Sequence, residues 1–276
     1  MRELAIGNVW EDLCRVRERA PLVHNITNLV VMNTTANALL AVGASPVMAH
    51  APEEVEEMVA LAGALVVNIG TLSSPWIAAM RLAARRAREL GRPWLLDPVG
   101  AGATRLRDAA AAGLVALRPD VVRGNGSEIA ALAGPDGIGP DGIGQDGTTK
   151  GVDSTRSAEA ALSEAQALAA RIGAVVAVTG AVDLVTDGPR VCRLANGNAL
   201  MARVTGLGCT ASALAGAFLA VQPDRFQAAV SALAVLGVAG EIAAEGAAGP
   251  GSLQLRLLDT LYGLDRAALA GRLRIG

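Results

Sequence analysis

The amino-acid sequence predicts an α/β protein of three layers, in which a mostly parallel central sheet is flanked by helices. Short runs rich in Val and Leu alternate with longer helical patterns along most of the chain, as in parallel sheets covered by helices. The 276 residues are enough to bury a substantial core, and no Pro-, Ser- or Gly-rich linker separates two balanced halves. We therefore expect a single domain spanning residues 1–276.

Small apolar side chains must fill the interior of this domain. Apolar residues make up 52% of the chain, whereas charged residues make up 18% and aromatic residues 2%. Ala, Val, Leu and Gly therefore supply most of the core, and their small size favours close packing of helices on a sheet.

The predicted elements follow one another along the chain. Short apolar runs predict four strands, at residues 64–69, 93–96, 120–123 and 174–179. Helical patterns lie around these strands, at 52–61, 74–90, 105–116, 127–133 and 154–172. An antiparallel hairpin is predicted at the sheet edge, with strands near 183–186 and 190–194 around the Asp-Gly-Pro turn at 187–189. Long helices complete the chain from Cys209 onward.

Two segments depart from the simple alternation. Residues 134–147 contain the unit PDGIG twice and predict a loop that continues to residue 153. Lengthening a surface loop costs little free energy, so we interpret this segment as a surface expansion, with a mobile lid as the alternative. The uncharged run 204–222 is nearly long enough to cross a membrane, but its glycines and hydroxyl groups predict a buried helix after a Gly-rich turn.

The charge distribution argues against a nucleic-acid-binding surface. The formal net charge is −2, and the densest run of cations, Arg81 to Arg88, has the spacing of a solvated helix face. The first residues lack the apolar segment of a signal peptide, and Cys14, Cys192 and Cys209 have no zinc-type spacing. We therefore expect a cytoplasmic protein with no nucleic-acid or membrane partner.

The scarcity of lysine and histidine argues against several classes of enzyme. Lys150 is the only lysine, so the chain has no Gly-Lys-Ser/Thr phosphate loop, and Schiff-base chemistry would depend on a lysine in the predicted loop. His24 and His50 are too few for most metal-dependent hydrolases, and no Gly-x-Ser-x-Gly motif predicts a serine hydrolase.

Polar residues follow three of the predicted strands, where open α/β sheets bind their ligands. Asp97 begins the turn DPVGAG, residues 123–128 have the sequence RGNGSE, and Thr179 is followed by a glycine. These positions place a carboxylate, a cation, an amide and a hydroxyl group at one edge of the sheet. We expect the functional site there.

A glycine-rich turn before an apolar helix supplies a fourth candidate. Residues 204–210 have the sequence VTGLGCT, in which Gly206 and Gly208 let a ligand approach the N-terminus of the helix that follows. The N–H groups and positive dipole end of such a helix favour an anion. A G-x-G turn alone is weak evidence, but together with the other strand ends it predicts an anion hole.

Two carboxylates at the strand ends are candidates for holding Mg²⁺. Phosphoryl transfer needs charge neutralisation and positioning, which a metal ion, a cation and backbone amides can supply. Asp97 and Glu128 would hold the ion directly or through water. The alternative is an Asx turn before proline for Asp97 and a first-turn helix acid for Glu128.

These segments, taken in order, resemble the hydroxyethylthiazole kinase family, a branch of the ribokinase-like superfamily, over nearly the whole chain. The most specific stretch is PLVHNITN at 21–28, which continues through NTTAN at 33–37 to GASPVMA at 43–49. The other matching segments are DPVGA at 97–101, RGNGSE at 123–128, GVDS at 151–154, VTG at 178–180 and TGLGC at 205–209.

The resemblance implies a role for each matching residue. It assigns ATP binding to Arg123, Asn125 and Thr179, and binding of the thiazole alcohol to Asn28, Met48 and Gly206. A methionine in an apolar run usually fills the core, so only the resemblance gives Met48 this role. We interpret His24 as a histidine satisfied by neighbouring backbone.

Cys209 occupies the position at which the wider superfamily carries an aspartate as general base. The thiazole kinases that this chain resembles also have cysteine there. A thiol near a helix N-terminus is expected to have a lowered pKa, although a loose transition state requires little early proton removal. We therefore interpret Cys209 as a modest base or positioning group beside Gly206 and Gly208, with a small buried apolar residue as the alternative.

The resemblance implies a function and an assembly. The function is ATP- and Mg²⁺-dependent phosphorylation of the primary alcohol of 4-methyl-5-(2-hydroxyethyl)thiazole, for thiamine salvage. The assembly is a homotrimer with sites between subunits, in which one subunit supplies Asn28 and Met48 and the next supplies Gly206 and Cys209.

Other functions remain open at this point. They are a kinase of a related small alcohol, hydroxymethylpyrimidine or a sugar, an ATP-dependent hydrate dehydratase, and a binding protein that lacks catalysis. The related enzymes are expected to carry Asp at position 209 and to lack the HNITN segment at 24–28, whereas a dead relative is expected to have lost the charged residues of the site.

Overall fold

The computed structural model describes residues 2–134 and 156–276. The strands are β1 (Leu22–Ile26), β2 (Ser45–Val47), β3 (Ala64–Asn68), β4 (Trp94–Asp97), β5 (Val121–Asn125), β6 (Val175–Thr179), β7 (Asp183–Thr186) and β8 (Val191–Leu194). They form one sheet in the order β2-β1-β3-β4-β5-β6-β7-β8. The first six strands run parallel, and β7 and β8 add an antiparallel hairpin at one edge.

Helices connect and cover these strands. The α-helices are α1 (Arg2–Arg19), α2 (Met32–Val42), α3 (Val55–Leu61), α4 (Ser74–Glu89), α5 (Arg105–Val115), α6 (Gly126–Ala133), α7 (Leu162–Ile172), α8 (Leu207–Leu219), α9 (Arg225–Glu245), α10 (Pro250–Gly263) and α11 (Arg266–Arg272). Short 3₁₀ turns lie at Glu159–Ala161 and Ala199–Arg203.

The central strands are buried on both faces. Every residue of β3 and of β4 is buried, which is why these strands show continuous apolar runs instead of alternation. On one face the core joins β-strand residues such as Val66 and Leu95 to α1, α2, α8, α9 and α10. On the other face Leu65 and Leu96 belong to a core with α3 to α7. The predicted three-layer, mostly parallel architecture is confirmed.

The structure also corrects the predicted elements. Strands β1 and β2 were missed, because β1 carries His24 and Asn25 within its apolar run and β2 has only three residues. The helix expected over 154–172 begins at Leu162, after the 3₁₀ turn. The predicted hairpin and the buried helix in the run 204–222 are both present. The tandem PDGIG segment, the GVDS motif and Lys150 lie outside the described residues.

One helix in the described part of the chain, α9, is long and apolar enough to cross a membrane. Most of its side chains are buried inside the protein, where it packs against α8, α10 and α1. Its apolar composition is therefore accounted for by packing in the core.

Candidate active site

The register of the sheet brings the candidate residues together at the carboxyl ends of its strands. Asn68 on β3 lies opposite Asp97 on β4, and Asn125 on β5 lies opposite Thr179 on β6. Successive side chains point to opposite faces of a sheet, so Asn68, Asp97, Arg123 and Thr179 share the face covered by α8. Side chains that are far apart in the sequence thus form one row beneath the start of that helix.

Asp97 is completely buried in this row. Its Oδ2 accepts hydrogen bonds from Asn68 Nδ2 and from the Ser212 hydroxyl, both at 2.7 Å. Its Oδ1 lies 3.7 Å from Nη1 of Arg123 and has no hydrogen-bond partner. Burial raises the pKa of Asp97, opposed by the charge of Arg123 and the two hydrogen bonds. Two hydrogen bonds therefore fix one carboxylate oxygen, whereas the other faces Arg123 and accepts no hydrogen bond.

The guanidinium of Arg123 lies between the sheet and the N-terminus of α8. Its Nη2 donates to Thr179 Oγ1 at 2.5 Å. A Cβ atom added at Gly208 would come within 2.8 Å of both Nη1 and Nη2, so the glycine is what lets the guanidinium reach the helix. Its Nε is buried with no hydrogen-bond partner. Arg123, Thr179 and Gly208 were predicted to share a site, and the structure places them in contact.

The first turn of α8 forms the predicted glycine turn. Gly206, the N-cap residue, has a φ of 81°, a left-handed conformation that glycine adopts without strain. A Cβ there would lie 2.5 Å from Cγ1 of Val31, so close approach also requires glycine. The first N–H groups of a helix have no partner within the helix, and here they open beside Arg123. This geometry suits an anion.

Cys209 lies on the same turn, next to Asn28. Nδ2 of Asn28 donates to its Sγ at 3.4 Å. Burial and the neighbouring charge of Asp97 raise the pKa of the Cys209 thiol to about 11, although Arg123, Asn68 and Asn28 act in the opposite direction. The expectation of a lowered pKa was therefore wrong, because burial and a nearby carboxylate outweigh the favourable groups. At neutral pH the side chain is a protonated thiol.

Glu128 closes a capping box at the start of α6. Its Oε2 accepts from the backbone N–H of Asn125 at 2.8 Å, and the Asn125 side chain accepts from the N–H groups of Ser127 and Glu128. Its Oε1 accepts from the N–H of Gly100 at 2.9 Å. Burial first, and then the charge of Asp97, raise its pKa. Glu128 is thus the first-turn helix acid that the sequence offered as the alternative to a metal ligand. Each of its oxygens keeps a further lone pair that can accept from a metal-bound water.

The donor set fits Mg²⁺ bound together with phosphate groups. Mg²⁺ is usually held by one or two carboxylates and completes its shell with water and substrate phosphates. The buried Oδ1 of Asp97, which accepts no hydrogen bond, would suit such a role, and the charge of Asp97 raises the pKa of the nearby Glu128. The described residues contain no cluster of three or more His, Cys, Asp or Glu side chains, so no all-protein cage is present there.

The residues that were predicted to bind the alcohol are only partly brought together. Asn28 contacts Cys209 within one chain, and Val31 packs against Gly206, so the expectation that Asn28 and Cys209 come from different subunits was wrong. Met48 follows the edge strand β2, and the hydrogen bonds of the described residues do not connect it to Cys209. Its carbonyl oxygen lies 3.1 Å from Nδ1 of His50.

Three features beside the predicted residues were settled only by the structure. Asn68 interrupts the apolar run ALVVNI at the end of β3, a signal that could have identified it. Ser212 lies one helical turn after Gly208 and therefore faces the same row. Nε2 of His24 lies 2.8 Å from the carbonyl oxygen of Ala49, as predicted, whereas its Nδ1 is buried without a hydrogen-bond partner, so neighbouring backbone satisfies only one ring nitrogen.

The fold is that of the ribokinase-like small-molecule kinases. A Staphylococcus aureus pyridoxal kinase shares the fold, with a TM-score of 0.60 over 80% of this chain and 87% of that one. At 17% identity it supports the fold alone. The chain belongs to the hydroxyethylthiazole kinase family, whose model matches residues 13–267.

Two further relatives cover almost the whole chain. A hydroxyethylthiazole kinase of Leptospira biflexa is 52% identical over 274 residues, which is 99% of each chain. The structure of a hydroxyethylthiazole kinase protein from Pyrococcus horikoshii has a TM-score of 0.87 and 47% identity, covering 97% of this chain and 98% of that one. The protein is therefore a kinase, and its relatives are named for a thiazole alcohol.

Proposed function

We propose that the protein transfers the γ-phosphoryl group of ATP to the primary alcohol of 4-methyl-5-(2-hydroxyethyl)thiazole, with Mg²⁺, in thiamine salvage. The observation that carries the proposal is the Arg123 guanidinium, which lies against Gly208 at the N-terminus of α8. Such a preorganised cluster of positive charge and N–H groups suits the charge that develops on a transferring phosphoryl group. The family of the chain supports the choice of alcohol.

The described residues account for most of the proposed transfer. The alcohol oxygen forms a bond to the γ-phosphorus, the bond from that phosphorus to the bridging oxygen breaks, and ADP leaves with the electron pair of that bond. The alcohol proton passes to a non-bridging oxygen of the transferred phosphoryl group and from there to solvent. Arg123 and the N–H groups of α8 stabilise charge on the equatorial oxygens, and Thr179 holds the guanidinium in place. Bound beside Asp97 and Glu128, Mg²⁺ would supply further charge neutralisation. Asn28 orients the alcohol next to Cys209.

Three further parts of the proposal concern the whole chain. Asn125, which caps α6 two residues after Arg123, contacts ATP. The 276 residues form one catalytic domain, since strands from residue 22 to residue 194 share one sheet with a core on each face. The protein acts in the cytoplasm, where ATP and reducing conditions suit a chain whose three cysteines are free.

The direct test is phosphorylation of the thiazole alcohol by purified protein. We expect ADP and the thiazole phosphate to form in equal amounts when ATP and Mg²⁺ are present, and no turnover in excess chelator, because the buried Asp97 is proposed to act through the ion. A panel with hydroxymethylpyrimidine, pyridoxal and small sugars serves as the control. Preference for another alcohol would refute the substrate, and full activity in chelator would refute the metal role.

Cys209 provides a test of the proton transfer. A protonated thiol cannot accept a proton, so we assign Cys209 chiefly to positioning the alcohol at neutral pH. Cys209→Ala is expected to lower kcat about tenfold to hundredfold, which is at or below the lower end of the range for a positioned base, whereas Cys209→Asp should stay active. Initial rates across the pH range measure both. Equal rates for Cys209→Ala and the parent at every pH would show that Cys209 has only a packing role.

We also propose that the protein is a homotrimer with Met48 of one subunit entering the site of the next. The support is an exposed, uncharged surface beside the site, where Leu29, Val30 and Leu40 are 67%, 62% and 58% exposed. Asn33 and Asn37 are exposed on the same face of α2, at helical spacing from Val30 and Leu40. Contiguous apolar surfaces of this kind are commonly covered in symmetric oligomers.

Mixing two variants that are each impaired tests this arrangement. If Met48 and Cys209 of one site come from different subunits, mixed trimers of Met48→Asp and Cys209→Ala should regain activity, with roughly a quarter of sites free of both changes under random assortment. The matched control mixes Asn28→Asp with Cys209→Ala, which share one chain and should not recover. No recovery in the first mixture, with mixed trimers verified by mass, would contradict the proposal, as would a monomer in light scattering.

A further inference from the structure

Among the residues that the structure describes, Asn68 is the buried amide whose hydrogen bonds join Asp97 to Asn28. It ends β3 with 1% of its surface exposed, directly opposite Asp97 in the register. A buried amide costs free energy unless its donors and acceptor are bonded. Hydrogen bonds to Asn28, Gly70 and Asp97 satisfy the Asn68 amide.

The orientation of the Asn68 amide follows from its surroundings. Its Oδ1 accepts from the backbone N–H of Gly70 at 2.9 Å, and a backbone N–H can only donate. The same Oδ1 accepts from Nδ2 of Asn28, also at 2.9 Å. The nitrogen of the Asn68 amide must therefore face Asp97 and Cys209.

That nitrogen reaches the two chemical groups of the site. Nδ2 of Asn68 donates to Oδ2 of Asp97 at 2.7 Å, and Asn68 lies near enough to the Cys209 sulfur to act against the rise in the pKa of its thiol. Asn28 donates to the same sulfur at 3.4 Å. A Cβ added at Gly70 would lie 2.6 Å from Nδ2 of Asn28, so this glycine leaves space for the cluster.

We propose that Asn68 is a positioning residue that joins the phosphate-side carboxylate of Asp97 to the alcohol-side pair Asn28 and Cys209 as one hydrogen-bonded unit. Its donors fix the rotamer of Asp97 so that Oδ1 faces the nucleotide, and its acceptor fixes Asn28 beside the sulfur. Asn68 thereby sets the distance between the attacking alcohol and the phosphoryl group. This inference rests on the proposed function, because it concerns the geometry of that same reaction.

Asn68→Asp separates the role of the Asn68 donors, which hold Asp97, from the role of its acceptor, which holds Asn28. The change keeps a side-chain oxygen for Gly70 and Asn28, but it removes both N–H donors and turns a second carboxylate oxygen towards Asp97. We expect kcat to fall about 10- to 100-fold, the usual effect of losing a group that orients a metal ligand. The affinity for the thiazole alcohol, measured by calorimetry in excess chelator without nucleotide, should change less than about threefold, since the loss of one neutral hydrogen bond is small.

Asn196→Asp is a matched control. Asn196 is also buried, its Oδ1 accepts a backbone N–H from Arg274, and its Nδ2 donates to a carboxylate, that of Glu241. The same chemical change there should lower the thermal stability to a similar degree and leave kcat unaltered. Ser212→Ala is the second variant, because it removes the other donor to Oδ2 of Asp97 and leaves Asn68 and Asn28 in place.

The outcomes separate this inference from the proposed function. If the parent protein phosphorylates the thiazole alcohol, a fall in kcat with retained alcohol binding in Asn68→Asp and Ser212→Ala supports the positioning role. Unchanged kcat, a parallel loss of alcohol binding and kcat, or an equal fall in Asn196→Asp would overturn it. Should Asn68→Asp fail to fold, Asn68→Ala, which removes the donor to Asp97 without adding a charge, decides by the same two measurements. A parent inactive on this alcohol would refute the proposed function instead.

Discussion

Gly208→Ala is expected to lower kcat/KM on the order of 10³-fold while the fold remains intact. The added Cβ would lie within 2.8 Å of both Nη atoms of Arg123, and the guanidinium can leave its position more easily than the helix backbone can move. Displacing a preorganised cation by about an ångström costs much of its stabilisation of transferring charge. Steady-state kinetics with ATP and circular dichroism measure the two quantities separately.

Gly251→Ala is the matched control for this change. Gly251 is also the second residue of a helix, α10, and nothing lies within 4 Å of a Cβ placed there. Alanine at that position should leave kinetics unaltered and stabilise the helix by about 0.5–1 kcal/mol. Full activity of Gly208→Ala would show that the guanidinium is not required next to α8.

Arg123→Met is expected to impair both activity and stability. Removing the guanidinium should lower kcat/KM on the order of 10³-fold and leave the buried Asp97 without its cationic neighbour. Breaking a buried pair from one side costs up to about 3–5 kcal/mol, and protonation of Asp97 limits this cost. The folded-state pKa of Asp97 is already raised, so the loss of stability should grow as pH rises above the ordinary range of a carboxyl group.

The double variant Arg123→Met with Asp97→Asn distinguishes the effect on activity from the effect on stability. The neutral amide removes the uncompensated charge, so thermal stability should recover without activity. Arg225→Met is the control on a half-exposed pair with Asp120, where a change below about 1 kcal/mol and full activity are expected. An active double variant would remove both residues from the proposed mechanism.

The sequence was informative wherever function depended on strand ends. Asp97, Arg123 and Thr179 could be grouped because parallel strands end at the same edge of a sheet, and their observed contacts agree. Gly208 could be identified by the glycine turn before an apolar helix, but its contact with the guanidinium depends on how α8 lies across the sheet. The fold followed from the alternation of apolar runs and helical patterns.

Other properties depended on neighbours that are remote in the sequence. The raised pKa of Cys209 results from burial and from Asp97, a residue 112 positions earlier in the chain. Strand β1 was missed because His24 and Asn25 are buried polar residues, which a pattern of apolar positions does not identify. The contact between Asn28 and Cys209 of the same subunit likewise could not be predicted, because it depends on the path of the loop after β1.

The position of α8 across the sheet has a consequence for protein synthesis. All eight strands of the described sheet end before residue 195, whereas the helix that completes the site begins at Leu207. A nascent chain therefore exposes the polar row of Asn68, Asp97 and Arg123 to water until α8 leaves the ribosome and covers it. A translation product truncated before Leu207 would therefore hold the carboxylates of the site without the helix that is proposed to bind the phosphate.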